Sequence, residues 1–244
     1  MKFLKNHPFA VEAFFESSVV LTFAVPKEEL IEYIPNCLEL DTFKDEWAFV
    51  AIAMVKTSGL RPKGFPKILG NDFFLLGYRI FVRYRNKAGK SLRGLYIIKS
   101  ETDKKKMELL GNIFTHYKYS KTDVNEFKKD NFRVIKSNQS DFEVVITDSN
   151  KSNEIPVDSP FENWKDARKF AGPLPHTFTY DRINNSVLII QGIRQNWTPK
   201  PTTVVNYRFG FLNNLKFKKV ILASAFEITD VPYYWKKGKI EKWE

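Results

Sequence analysis

Branched and aromatic residues recur along the chain in runs of 6–12, broken by Gly, Pro, Asn and Lys. Such runs read as strands, because these side chains pack well on a pleated, half-buried surface. The pattern predicts about ten to twelve strands, near residues 11–25, 38–44, 47–57, 73–85, 92–100, 115–123, 131–136, 141–147, 175–183, 186–197, 203–212 and 219–229. Asn184-Asn185 predicts a tight hairpin between two of these runs, since Asn tolerates positive φ. Asn86–Gly89 predicts a longer hairpin loop.

Helical spacing is rarer. Pro26 to Ile34 predicts about two turns, with Pro26 near the first helical position and Pro35 as the stop. Residues 103–114 predict a second helix, capped by Thr102 or Asp103, with Met107, Leu110 and Phe114 on one side. Ser159-Pro160-Phe161-Glu162 reads as a capping box opening a third helix that ends near Phe170. The polar stretch Asp148 to Asp158 reads as a long loop, because the strand pattern resumes after it. The expectation is one domain over residues 1–244, mainly β (α+β), a closed barrel or sandwich with about three short helices.

Composition narrows the setting. The 244 residues are 43% apolar and 27% charged, as in globular proteins. The longest apolar run, Trp47 to Val55, is half of the ~18 residues a membrane-spanning helix needs, so no membrane partner is expected. His7, Pro8 and Glu12 interrupt any signal-peptide core. The single cysteine, Cys37, excludes an internal disulfide, and the three histidines form no ligand pattern. The expected setting is therefore the reducing cytoplasm, with no metal and no cofactor. The net charge of +11 raises the question of nucleic acid. Its 39 Lys and Arg are scattered over the whole chain, so a solvated surface is favoured over a binding stripe.

The sequence has no Gly-x-Gly-x-x-Gly, Walker loop, Gly-x-Ser-x-Gly or His-Glu-x-x-His motif. Candidate chemistry comes from alternation. Arg79, Phe81, Arg83 and Arg85 share one face of a strand and Ile80, Val82 and Tyr84 the other. At the apolar end of that strand, Arg79 is a candidate for a cavity-facing anion ligand; a buried Arg requires a partner, either a carboxylate such as Glu101 or a ligand. Thr115-His116-Tyr117-Lys118-Tyr119 places imidazole, phenol and amine together, with Thr115, Tyr117 and Tyr119 on one face. Trp197, Trp235 and Trp243 are expected to pack or cap the ends of the sheet.

Residues 27–41, Lys27 through Leu30, Pro35 and Leu40 to Asp41, resemble a segment of acetoacetate decarboxylase and its relatives, in which a short helix leads into a strand. Ser58-Gly59-Leu60 resembles the same enzyme. Asp41-Thr42, Tyr78-Arg79-Ile80-Phe81-Val82, Gly94-Leu95-Tyr96 and the helix before Tyr117 are similar to the uncharacterised YqjF-like branch of that superfamily, domain of unknown function 2071. The resemblance spans residues 8–235 and implies a β-cone, a closed curved sheet around a central pocket with helices outside. It also implies what has been lost. The decarboxylase forms a Schiff base through the first Lys of Pro-Lys-Lys, kept neutral by its neighbour. That segment falls on His116-Tyr117-Lys118, so Tyr117 takes the nucleophile's place and Lys118 is the surviving second lysine. The family's pocket Glu falls near Val50 and its N-terminal pocket Arg near Glu16.

The resulting expectation is a pocket for a small, partly apolar anion, without Schiff-base chemistry. Arg79, Tyr96, Glu101 and His116 are the candidate ligand-binding residues and Tyr117 and Lys118 the candidate catalytic ones. Tyr117 would act as general acid in proton transfer on a small carboxylate or carbonyl compound. A decarboxylase or aldolase-like enzyme using Lys118 and a nucleic-acid-binding β-barrel are the alternatives, and homo-oligomers occur among relatives of the decarboxylase.

Overall fold

The computed structural model describes residues 4–147, 155–170, 172 and 174–243. The predicted loop from Asp148 lies mostly outside them. The strands are β1 (Val11–Pro26), β2 (Glu39–Leu40), β3 (Trp47–Pro62), β4 (Asn71–Arg85), β5 (Ser91–Thr102), β6 (Tyr119–Lys121), β7 (Asn125–Lys129), β8 (Phe132–Ser137), β9 (Phe142–Thr147), β10 (His176–Asp181), β11 (Ser186–Arg194), β12 (Lys200–Pro201), β13 (Thr203–Phe209), β14 (Ile221–Trp235) and β15 (Lys239–Lys242). The helices are α1 (Lys27–Leu30), α2 (Lys105–Phe114), α3 (Trp164–Phe170) and α4 (Gly210–Asn214).

Seven strands close a ring in the order β14-β1-β3-β4-β5-β10-β11, and β11 pairs back onto β14. All the joints are antiparallel except β5–β10, where residues 94–96 run parallel to 176–178. Backbones come so close at this joint that a Cβ on Gly94 would meet the His176 carbonyl. The other end of the same β5 edge takes β6. A second, antiparallel sheet, β13-β9-β8-β7, contributes Ile135, Phe142, Val144 and Phe209 to the core on the outer face of the ring.

This arrangement explains the apolar run from Trp47 to Val55, which is buried throughout. Ala48, Val50, Ile52 and Met54 join the outer core, and Trp47, Phe49, Ala51, Ala53 and Val55 face inward. A strand covered on both faces loses its polar alternation.

Local differences from the predicted elements have local causes. The helix expected over Pro26–Ile34 is one α-turn followed by a 3-10 turn at Ile31–Tyr33. The third helix starts at Trp164, and its cap is Asn163 instead of Ser159: the Asn163 Oδ1 accepts from the Asp166 N–H at 3.0 Å, and the Asn163 Nδ2 donates back to the Asp166 carboxylate at 3.1 Å. Ser159 instead closes a tight turn with the Phe161 N–H and donates to the Ala223 carbonyl at 2.7 Å. The run 203–212 turns into α4 after Phe209, so the helices number four among the described residues. β7 had no apolar signal because Asn125–Lys129 is exposed along its length, an edge strand carrying lysines that discourage further pairing. The Asn86–Gly89 and Asn184-Asn185 hairpins form where predicted.

Asp41 fastens one end of the ring. Its carboxylate is fully buried, accepts from the Arg83 Nε and from the Arg93 Nε at 2.7 Å each, and its backbone N–H donates to the Phe81 carbonyl. Arg93 also lies over the Phe170 ring of α3. Removing the anion leaves two guanidinium groups facing each other, although both are partly hydrated. Asp41→Ala is expected to lower stability by about 3 kcal/mol, the lower end for a broken buried ion pair, as a reduced denaturant midpoint with an unchanged m-value.

Candidate functional site

The ring is not filled. It encloses a cavity of about 160 Å³, because the inner face of β3 presents Ala51, Ala53 and Val55 where the outer face presents Val50, Ile52 and Met54. A cavity of ~150 Å³ admits benzene, so the space suits a molecule of roughly six to ten heavy atoms.

Arg79 projects from β4 into this space. Its neighbours leave the guanidinium room: it stands opposite Ala51 on β3, and a Cβ on Gly77, two residues along the same face, would sit 3.0 Å from its Nε. A β-bulge between Tyr78 and Arg79 on the β5 side skips Ile98 and sets the angle at which the side chain enters. Its Nε is buried with no hydrogen-bond partner. Among the described residues no Asp or Glu lines the cavity. Burial pushes the Arg79 pKa down, and the nearby Arg194 charge pushes it further down, while Tyr233, Tyr119 and Tyr117 oppose the shift. Guanidinium remains charged at neutral pH even so.

The phenols arrive by another route. α2 follows β5 and ends at Phe114, and the chain doubles back so that Thr115, Tyr117 and Tyr119 all face the cavity. Residues 115–118 are not a strand; Lys118 has a φ of 52° and is exposed, and the left-handed turn there places both tyrosines on the same side. Asn112 fixes the turn: its Nδ2 donates to the Tyr119 carbonyl and its Oδ1 accepts from the Tyr119 N–H, at 2.8 Å each. The Tyr119 ring lies against Gly111, where any Cβ would collide with it. A helix-interior glycine costs about 1 kcal/mol relative to Ala, and here it makes room for a cavity wall. Burial pushes the Tyr119 hydroxyl up to about 12 and Tyr117 higher still, with a side-chain hydrogen bond to Thr177 pulling Tyr117 back. Both are neutral donors at physiological pH.

The far wall comes from the joint between β11 and β14. Tyr233 lies over Gly192, which has no side chain to obstruct it. Arg194 is stacked between Trp197 and Tyr233, with its guanidinium carbon 4.5 and 4.8 Å from the ring centroids. Both of its terminal nitrogens donate to the Leu174 carbonyl, and its Nε is buried without a partner.

Of the residues singled out from sequence, Arg79 and Tyr117 meet in this cavity, and the other four lie elsewhere. Tyr96 packs on the outer core. Glu101 is buried but accepts from Ser140 Oγ at 2.6 Å and pairs with Lys99 at 3.0 Å. The His116 Nε2 makes a 3.1 Å hydrogen bond with the Asn6 side chain. Lys118 faces solvent. No lysine lines the cavity among the described residues. Trp197 and Trp235 line it, whereas Trp243 packs edge-on against Tyr180. Alternation put Tyr119 on the face of Tyr117, whereas Arg194, Tyr233 and Asn112 carried no local signal; the small inward residues Gly77, Ala51 and Ala53 are the hint of space around Arg79. Among the described residues no group of three His, Cys, Asp or Glu could hold a metal ion, and no helix is long and apolar enough to cross a membrane.

Residues 13–232 match the family model of domain of unknown function 2071, described as an uncharacterized conserved protein. The chain belongs to this family. A search of curated protein sequences finds no match. Solved structures place the family member on the acetoacetate decarboxylase-like fold. Acetoacetate decarboxylase from Legionella pneumophila superposes with a TM-score of 0.64 at 12% identity, covering 96% of this chain and 88% of the enzyme. An acetoacetate decarboxylase-like enzyme from Sphingomonas wittichii gives 0.56 at 8% identity, with 97% and 93% covered. The enduracididine biosynthesis enzyme MppR complexed with pyruvate gives 0.54 at 9% identity, with 96% and 90% covered. At such identities the likeness concerns the fold, the closed sheet that the domain 2071 chain shares with these enzymes.

The raised Tyr119 pKa has a measurable consequence. The folded state holds this proton to about pH 12, whereas the unfolded phenol loses it near pH ~10. Its contribution to stability is present in full below pH ~10 and is lost as pH rises through about 12. Tyr119→Phe is therefore expected to make the alkaline loss of stability less steep over that interval, by up to ~1.4 kcal/mol per pH unit. Denaturant titrations of both proteins between pH 9 and 12.5 check this; identical slopes would contradict it.

Proposed function

We propose that this domain 2071 protein binds a small, partly apolar carboxylate in the central cavity, through Arg79 and the neutral phenols Tyr117 and Tyr119, without forming an imine. One observation carries the reading: a guanidinium inside the ring with an unpartnered Nε and, among the described residues, no carboxylate on the cavity wall. A buried charge left unpaired costs several kcal/mol, and an anionic ligand would supply the missing partner. The apolar remainder of the wall, from Phe81, Val20 and Leu95 among others, suits a short carbon chain. The lack of a cavity lysine among the described residues and the outward turn of Lys118 favour binding or proton-transfer chemistry over a Schiff base. In a proton-transfer reaction, Tyr117 would hydrogen-bond to the carbonyl oxygen of the ligand and Arg79 would stabilise negative charge developing there.

Pyruvate, acetoacetate and butyrate serve as probes, the first because MppR is seen with pyruvate. Calorimetry should show at least one of them binding, and Arg79→Met should weaken that binding at least ~10-fold, as loss of a charge-assisted hydrogen bond requires, with the thermal transition retained. Equal affinity in the variant would remove Arg79 from the site. Borohydride added with acetoacetate should leave the intact mass unchanged; a reduced adduct on Lys118 would establish the lysine chemistry instead.

A further inference from the structure

We infer that the ligand of this cavity is a short-chain dicarboxylate, held at one end by Arg79 and at the other by Arg194. The inference rests on the reading that Arg79 binds a carboxylate and adds a second anionic group. Two guanidinium groups enter one cavity from different walls, Arg79 from β4 and Arg194 from the end of β11. Each keeps a buried Nε with no partner. Neither forms an ion pair with a carboxylate among the described residues, and the cavity wall there contributes two formal positive charges and no negative one.

A single carboxylate would leave one of those charges uncompensated at short range, in a space where low polarisability makes like-charge repulsion expensive. Arg194 cannot swing away into water at no cost. It is stacked between Trp197 and Tyr233 and anchored on the Leu174 carbonyl. That hydrogen bond is to a neutral carbonyl, so the charge itself remains unmet. Tyr233 links the two sites, lying against Arg194 on one side and among the groups that act on Arg79 on the other. Apart from the phenols, the wall of the cavity is mostly apolar, which suits a carbon chain with two charged ends. The volume of about 160 Å³ sets the length. Succinate, with eight heavy atoms, falls inside the roughly six-to-ten range of such a cavity.

Succinate and butyrate have the same carbon count and differ by one carboxylate, so they are the probes. Isothermal titration should show succinate binding wild-type protein at least ~10-fold more tightly than butyrate, as one extra charge-assisted contact requires. Arg194→Met should reduce the two to similar affinities. Arg194→Lys, which keeps the charge, should retain most of the preference and guards against a packing effect of the Met variant. Arg79→Met should weaken both ligands. Butyrate equal to succinate in the wild type, with both still sensitive to Arg79→Met, would overturn the dicarboxylate inference and leave the carboxylate site standing. If neither ligand responds to Arg79→Met, the carboxylate site itself falls, and this inference with it. Phosphoglycolate serves as a third probe. Binding of it ~10-fold tighter than succinate, abolished by Arg194→Met, would assign a phosphate to the Arg194 end and overturn the dicarboxylate class.

Discussion

A guanidinium held inside a closed sheet, with no carboxylate beside it among the described residues, is unfavourable on its own, by several kcal/mol. The surrounding structure is arranged to tolerate Arg79 and not to neutralise it. Ala51 across the strand and Gly77 along it leave the group uncrowded. The bulge opposite Ile98 sets its angle. Three phenols supply polar surface without charge. The protein does know how to neutralise a guanidinium: Asp41 does so twice, for Arg83 and Arg93, a few residues away. The contrast between the two ends of the ring separates an arginine that holds the fold together from one that is kept available.

The same logic bears on the wall that follows α2. An amine and an arginine in one small cavity would repel each other. With Tyr117 and Tyr119 on it, that wall offers hydrogen bonds without adding charge. The left-handed turn at Lys118 sends its amine into solvent. Asn112 and Gly111 hold that turn against the helix, so the positions of both tyrosines depend on two residues that touch nothing in the cavity.

Much of the architecture was legible in the sequence, because strands with one solvated face alternate and hairpins carry Asn and Gly at their turns. Two-sided burial hid the periodicity of β3, and full exposure hid β7. The third helix starts four residues later than expected because Ser159 satisfies the pattern of a capping box while its hydroxyl is engaged by Ala223. At the site, alternation placed Arg79 and Tyr117 inward, since both lie where a period-two reading holds or happens to give the same parity. Charge offers Glu101 as one of two kinds of partner for Arg79, the other being a ligand; Lys99 and Ser140 engage Glu101 instead. Arg194, Tyr233 and Tyr119 become neighbours of Arg79 only through closure of the ring and the return from α2, neither of which has a local signature.

The joints of the ring are unequal in length. β1 pairs along nearly its whole extent with both β3 and β14, while the β10–β11 hairpin is held to β5 by three residue pairs and to β14 by another three. Local opening follows the fewest backbone hydrogen bonds. The two short seams are therefore where the ring is expected to loosen first, and the segments beside them carry Thr177 and Arg194 on their inner side.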